Sequence, residues 1–244
     1  MSNKSSFATG FLAGAAIPSL IIGIIGIAAI VGGVIYYRST LSSQSSNSGG
    51  TSKTNSGNTS NAKANALGAE PAWAKGSANA VVTLEEFADF ECASCARFEP
   101  TMREIRTIYG DRVRVIFRQF PLVQIHQKAY DASRATEAAG LQGKFWEMHD
   151  LIYDKQTEWV KIPEHRREFG EYARQLGLDV TKFENDMINN PQVNERVAAD
   201  LKRGGSLGVS GTPSVFFNGR KLEYPTEMTT DRMRQMIDQA LQKK

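Results

Sequence analysis

Cysteine is scarce in this chain: 244 residues contain two, Cys92 and Cys95. That scarcity excludes a fold stapled by several disulfides, and it excludes a closed four-cysteine zinc site. Acid is absent before Glu70, where the charged side chains are Lys4, Arg38, Lys53 and Lys63. Removing those four from the 29 basic residues leaves 25 against 26 acids, so the remainder is near neutral despite an overall +3. The clustered basic face that nucleic acid requires is therefore not expected. Arg166-Arg167 beside His165 reads as a solvated helix face. No internal repeat is present.

Charge is also missing from Phe7 to Tyr37, where Thr9, Pro18, Ser19 and several glycines interrupt an apolar run. The stretch Leu20 to Tyr37 with its upstream flank is long enough to cross a hydrocarbon core, which takes about 20 residues. A cleaved signal peptide has a shorter apolar region, about 7–15 residues, and ends in a small-x-small site. This run ends instead in Ile35-Tyr36-Tyr37-Arg38, the pattern of an interfacial anchor. Residues 1–38 are thus expected to be a cytoplasmic tip and one uncleaved transmembrane helix. Lys4 and Arg38 flank the span and barely decide its orientation. The N-terminus is placed in the cytoplasm because the cysteine chemistry belongs outside. Residues 39–69 are rich in Ser, Asn, Gly and Thr and read as a flexible tether, spanning roughly 30 Å root-mean-square.

Residues 70–244 are the size of a single domain. Ala80 to Phe87 and Val113 to Phe120 read as strands, with a helix from Cys92 to Tyr109 between them. A block of helices, about 125–194, follows. Its segments are His126 to Ala139, Lys144 to Asp154, Pro163 to Leu176 with proline at the first helical position, and a helix opened by the capping box Thr181-Lys182-Phe183-Glu184. Gln192 to Arg203 is helical, stopped by Gly204-Gly205. Asn218-Gly219 then joins Ser214–Phe217 to Arg220–Leu222 as a hairpin. Thr230 caps a last helix. This order predicts an α/β domain whose core sheet is interrupted by helices.

Cys92 and Cys95 stand where a strand pattern gives way to a helix. The orphan amides and positive dipole end of a helix start favour a thiolate, the attacking species in disulfide exchange. On that reading Cys92 is the nucleophile and Cys95 resolves. The alternatives are half of a zinc site, for which no second ligand pair stands at the right spacing, and a static disulfide, whose small loop adds little stability. Glu86 lies in the first strand. It is either a buried acid that exchanges protons with Cys95, or an ordinary acid at an exposed rim or paired with lysine. Asp89 and Glu91 read as surface acids. Thr212-Pro213 precedes an apolar strand, either as a trans turn proline or as a cis bond presenting the Thr212 backbone to an extended substrate. His126, His149 and His165 fall in the helical block and read as packing or surface residues. Phe145, Trp146 and Met148 read as core.

Cys-x-x-Cys at a strand-to-helix junction, an acid six residues earlier, and Thr-Pro entering a late hairpin resemble the thioredoxin fold. Phe117-Arg118-Gln119-Phe120-Pro121-Leu122 and the segment Gly143 to Leu151 narrow the resemblance to DsbA-like thiol–disulfide oxidoreductases with an inserted helical domain, of the membrane-anchored bacterial type. The resemblance implies Cys92 as nucleophile, Cys95 as resolving cysteine, Glu86 as buried acid and Pro213 as cis-proline with Thr212 before it. It also implies thiol-containing extracytoplasmic proteins as substrates and a quinone-linked membrane partner, DsbB-like or VKOR-like. No metal or organic cofactor is implied beyond the Cys92–Cys95 disulfide, and a monomer is expected. One departure stands out: the dipeptide between the cysteines is Ala93-Ser94, without the Pro-His of the best-known oxidases. The expected function is a thiol oxidase at the cell membrane, with its catalytic domain outside. The alternatives are a reductase or isomerase on the same scaffold, and a tethered protein-binding or assembly module.

Overall fold

The computed structural model describes residues 68–243. The expected membrane span and nearly all of the tether lie outside the described residues. Among the described residues no helix is long and apolar enough to cross a membrane.

The described residues begin with a short strand β1 (Trp73–Lys75), then β2 (Val82–Ala88), helix α1 (Ala93–Tyr109) and β3 (Val113–Gln119). Six helices follow: α2 (Ala129–Gly140), α3 (Phe145–Asp154), α4 (Gln156–Trp159), α5 (His165–Gln175), α6 (Val180–Asn189) and α7 (Pro191–Ser206). The hairpin β4 (Ser214–Phe217) and β5 (Arg220–Lys221) and helix α8 (Thr230–Gln242) complete it. The sheet order is β1-β3-β2-β4-β5, with β2 and β3 parallel and every other neighbouring pair antiparallel. The β2–α1–β3 crossover and the β4–β5–α8 end are the two halves of one sheet unit, and the helical block interrupts it.

Side chains alternate across a strand, so β2 divides its work between two faces. Val82 and Leu84 pack with Phe98, Met102 and Ile105 of α1 and Met233 and Ile237 of α8. Glu86 and Ala88 continue that face toward the cysteines. Glu85 and Phe87 face the other way, where Glu85 meets Arg203 of α7. A third cluster, built on Phe117, Phe145, Met148, Trp159, Phe169 and Phe183, is the core of the helical block. It is continuous with Cys92 and Cys95, so one packed interior supports both the insertion and the cysteine pair.

Several boundaries differ from expectation, each for a local reason. Pro163 is not the first residue of its helix: α5 starts at His165, with Glu164 at the cap. Asp179, not Thr181, caps α6, its side chain accepting from the Lys182 amide. Thr229, not Thr230, caps α8. Helix α7 runs through Gly204-Gly205 to Ser206. A Cβ at Gly204 would sit 2.5 Å from Phe120, so this glycine permits close packing and does not end the helix. The turn at Asn218-Gly219 forms as expected, with φ of 46° and 83°, the left-handed pair a tight hairpin needs. The short β1 and α4 were not anticipated. The domain also starts earlier than residue 70: Gly68 and Ala69 are buried, and the Ala69 amide donates to Asp200 at 2.7 Å.

Candidate active site

Cys92 is the N-cap of α1, with extended φ and ψ of −72° and 117°, and its carbonyl accepts the first helical bond from Ala96. Its side chain makes no capping hydrogen bond, but the Ser94 and Cys95 amides of the first turn face the sulfur. One turn on, Cys95 is fully buried. Both are free thiols. The Cys95 thiol hydrogen-bonds the Cys92 sulfur, and this is the largest influence on Cys92. Burial opposes it, while Thr212 and the two first-turn amides add to it, and the Cys92 pKa falls to about 5. The same pairing works in reverse on Cys95. Burial first, then the Cys92 partner, push its pKa well above the ordinary thiol value. The two sulfurs are thereby split into one that ionises at neutral pH and one that does not.

The Ser94 hydroxyl takes no part in this: it accepts from Arg97 at 2.9 Å. Ala93 is exposed. The dipeptide therefore acts on Cys92 through backbone amides alone, and thiolate stabilisation does not need a histidine there.

Across from α1, the Thr212-Pro213 bond is cis. The Thr212 carbonyl accepts from the Cys92 Sγ at 3.5 Å, and its buried hydroxyl has no hydrogen-bond partner. Beside it lies an open groove of about 300 Å³, lined by Gly211, Pro213 and Ser214 on one side and Leu222, Glu223 and Tyr224 on the other.

Glu86 is buried, 2% exposed, with Oε2 lacking any hydrogen-bond partner. Burial, reinforced by the nearby Glu99 carboxylate and only partly offset by Arg106, raises its pKa to about 8. The alternatives of an exposed rim or a lysine partner are thereby removed. Its proton is poised to move near neutral pH.

Asp89 is not a surface acid, and Glu91 is half-buried. Asp89 is fully buried and accepts from the Glu91 amide (2.7 Å), the Leu122 amide (2.7 Å) and the His126 imidazole (2.8 Å). Glu91 accepts from the Lys128 amide at 2.7 Å. Both acids act as struts that hold the loop before Cys92 against the segment after β3. His126 lies in that segment, ahead of α2. The Gln156 side-chain amide donates to the carbonyls of Phe90 (2.7 Å) and Cys92 (3.1 Å), and the Tyr153 hydroxyl donates to Asp89 (3.4 Å). Sequence reading missed Gln156, Tyr153 and Glu99. Glu99 left one trace, an acid one turn after Cys95 on the apolar face of α1. Gln156 left none, because its role depends on how the insertion docks.

Among the described residues, Glu99, His149 and Asp150 offer metal-ligand atoms within 4.8 Å of one another. The Arg106 guanidinium already holds Glu99 at 2.5 Å and Asp150 at 3.3 Å. A cation placed among the same acids would have to displace it, so the group is an ion-pair network.

A family model described as thioredoxin matches residues 69–239. Two curated relatives are a Na(+)/H(+) antiporter NhaA 1 of Mycolicibacterium gilvum, 36% identical over 154 residues, and an NhaA 3 of Salinispora tropica, 39% identical over 151. Each match covers 62% of this chain; it covers 24% of the first relative and 22% of the second, so the chain spans about a quarter of their length or less. Among solved structures, oxidised BdbD of Bacillus subtilis superposes with a TM-score of 0.62 at 19% identity, covering 72% of this chain and 97% of that one. Wolbachia pipientis α-DsbA1 gives 0.62 at 18%, covering 72% and 94%. The MdbA thiol–disulfide oxidoreductase of Corynebacterium diphtheriae gives 0.53 at 16%, covering 70% and 95%. The chain belongs to the thioredoxin family, and its fold is that of the DsbA-like thiol–disulfide oxidoreductases.

Proposed function

We propose that this protein is a thiol oxidase that gives its Cys92–Cys95 disulfide to extracytoplasmic proteins while tethered to a membrane by its N-terminal segment. The observation that carries this reading is the split between the sulfurs: Cys92 titrates at about 5 while Cys95 is held well above the usual range. A low nucleophile pKa stabilises the reduced pair, which makes the disulfide readily surrendered. A substrate thiolate attacks the Cys92 sulfur and Cys95 leaves. A second substrate thiolate then attacks the substrate-side sulfur of the mixed disulfide. The substrate disulfide departs, two electrons remain on the pair, and Cys92 is released as the thiolate it prefers. Extended substrate lies along the Thr212-Pro213 groove.

Re-oxidation requires an electron acceptor, for which a quinone-linked membrane protein fits the tethered placement. Relatives named as sodium/proton antiporters support work at a membrane. The low Cys92 pKa weighs against a reductase, which needs a reduced pair that is less stable, not more. A binding or assembly module would have no use for a split pair.

The test is the resting state and potential of the pair. Thiol trapping in cells should find it mainly as the disulfide, with a potential well above that of a thioredoxin-type reductant, about −270 mV. A mostly reduced pool with a potential near that value would assign the reductase role instead.

A further inference from the structure

The buried acid Glu86 can serve Cys95 repeatedly only if its own proton is replaced, and the residue is 2% exposed. Below it, on the α1 side of the sheet, lie two further buried groups that the exchange reading does not use. Glu99 of α1 is 2% exposed and His149 of α3 is fully buried. Glu99 Oε2, His149 Nε2 and Glu86 Oε2 all lack hydrogen-bond partners. Burying such an atom without a partner is costly, so three in one small region call for a common explanation.

The spacing supplies it. His149 Nε2 stands 3.9 Å from Glu99 Oε2, a gap that rotation of the carboxylate closes. The other ring nitrogen, Nδ1, is 2.8 Å from Asp150 Oδ1. Asp150 is the member that reaches water, with its side chain 31% exposed. An imidazole with one nitrogen on Asp150 and the other facing Glu99 can take a proton at one and release one at the other. Phe90, Phe117, Phe145, Trp146 and Tyr153 surround the ring, leaving the two polar ends as its only exits. Glu86 and Ala88 share the β2 face that leads to Cys95, and Ala88 packs in the same cluster as Cys95.

We propose that Asp150, His149 and Glu99 form a proton path from solvent to Glu86, so that the inserted helical block supplies protons to the redox pair. The path rests on the exchange function proposed above. When the Cys92–Cys95 bond is reduced, the Glu86 carboxyl gives its proton to the departing Cys95 sulfur. Glu99 and then His149 restore it, and Asp150 replenishes His149 from water. Two substrate thiols supply two protons and two electrons. One proton ends on Cys95, and the other goes to solvent because Cys92 stays a thiolate. In re-oxidation the flow reverses.

The charged groups facing His149 are Glu99, Arg103 and Arg106 from α1, Asp150 on its own helix, and Lys75 of β1 over the Trp146 ring. Arg106 holds Glu99 and Asp150 together and is stacked 5.0 Å from the Trp146 centroid. It keeps both in place without carrying a proton itself.

The experiment uses the full chain, with wild type, His149→Gln and Asp150→Asn compared by stopped-flow reduction with dithiothreitol from pH 5 to 9. Glutamine keeps a hydrogen-bonding side chain but cannot relay a proton. The expected result is a drop of about tenfold or more in the rate of the step that protonates Cys95, with an altered pH profile. The Cys92 thiolate titration, followed by ultraviolet absorbance, should be unchanged. A rate and pH profile within twofold of wild type in a folded His149→Gln protein would overturn the path. Should that variant fail to fold, Asp150→Asn, at a partly exposed site, decides by the same criteria. Wild type that exchanges no disulfide at all overturns the function itself, an outcome distinct from loss of the relay alone.

Discussion

The side-chain amide of Gln156 donates to the Cys92 carbonyl at 3.1 Å and to Phe90 at 2.7 Å, so a residue 64 positions downstream holds the loop that presents the nucleophile. Gln156 opens α4, in the middle of the inserted helices. The insertion is therefore part of the active-site scaffold, joined to it by Gln156, Tyr153 and Lys128. Replacing Gln156 with alanine leaves the Phe90 carbonyl without this donor. The expected cost is about 1–3 kcal/mol in chemical denaturation, with slower exchange because the Cys92 loop gains freedom. Unchanged stability together with unchanged exchange would separate the insertion from the site.

Cys92 should titrate near pH 5 in the reduced protein, read from thiolate absorbance or alkylation rate. The sign follows from a folded-state pKa below the unfolded one. The reduced form gains stability that is complete above the unfolded thiol value and is lost as pH falls through about 5. At pH 7 the gain is about 1–2 kcal/mol, after discounting roughly 2.7 kcal/mol for the sulfur's access to water. Reduced protein should therefore unfold later than oxidised protein at pH 7, and the difference should shrink by pH 5. Ser94→Ala should leave the titration nearly unchanged, since that hydroxyl is engaged by Arg97.

Glu86 runs the opposite way. Its folded pKa of about 8 lies above the unfolded value near 4.5, so the native state binds the extra proton between those limits. Stability from this group falls as pH rises from about 4.5 to 8, and above that the buried carboxylate carries its full penalty. Glu86→Gln should stabilise the domain by roughly 1–3 kcal/mol at pH 7–8 while slowing exchange at Cys95 by about tenfold or more. A variant that is both less stable and fully active would remove Glu86 from the mechanism.

Arg118 carries the start of the domain. Its guanidinium binds Glu85 at 2.8 Å, Asp200 at 3.0 Å and the Ala69 carbonyl at 2.8 Å, all buried. Arg203 also binds Glu85, so removing Arg118 leaves Asp200 as the exposed loss. Arg118→Met should cost about 3–5 kcal/mol, because a buried carboxylate loses its cation. Burial already lifts the Asp200 pKa to about 6, against the pull of Arg118. Without the arginine, Asp200 should take up a proton at neutral pH, and part of the loss should be recovered on acidification. The denaturation midpoint measured at pH 5 and pH 8 gives the comparison.

Much of this architecture was legible from local pattern. The strands β2 and β3 have apolar alternation, α1 begins at the cysteine that caps it, and Asn218-Gly219 admits little besides a tight turn. These features depend on residues adjacent in the chain. Helix starts were read less well. Asp179 and Thr229 displaced the expected caps by one or two positions, because several nearby residues share the same capping chemistry and packing selects among them. Gly204 illustrates the converse: a residue that ordinarily ends a helix sits inside one because Phe120 needs the space.

For the site, the sequence by itself determined the placement of the cysteine pair at a helix start, with a strand acid before it and Thr-Pro entering a later strand. Helix-start amides and a two-residue spacer are local properties, and they contribute to lowering the Cys92 pKa. Only the tertiary structure decided how the two sulfurs divide a proton, since that required the burial of Cys95 and the approach of Thr212 from 120 residues away. It also turned Asp89 from an expected surface acid into a buried strut, while His149 packs among aromatic rings as expected. Desolvation and long-range hydrogen bonding set those roles, and both depend on which distant segments meet.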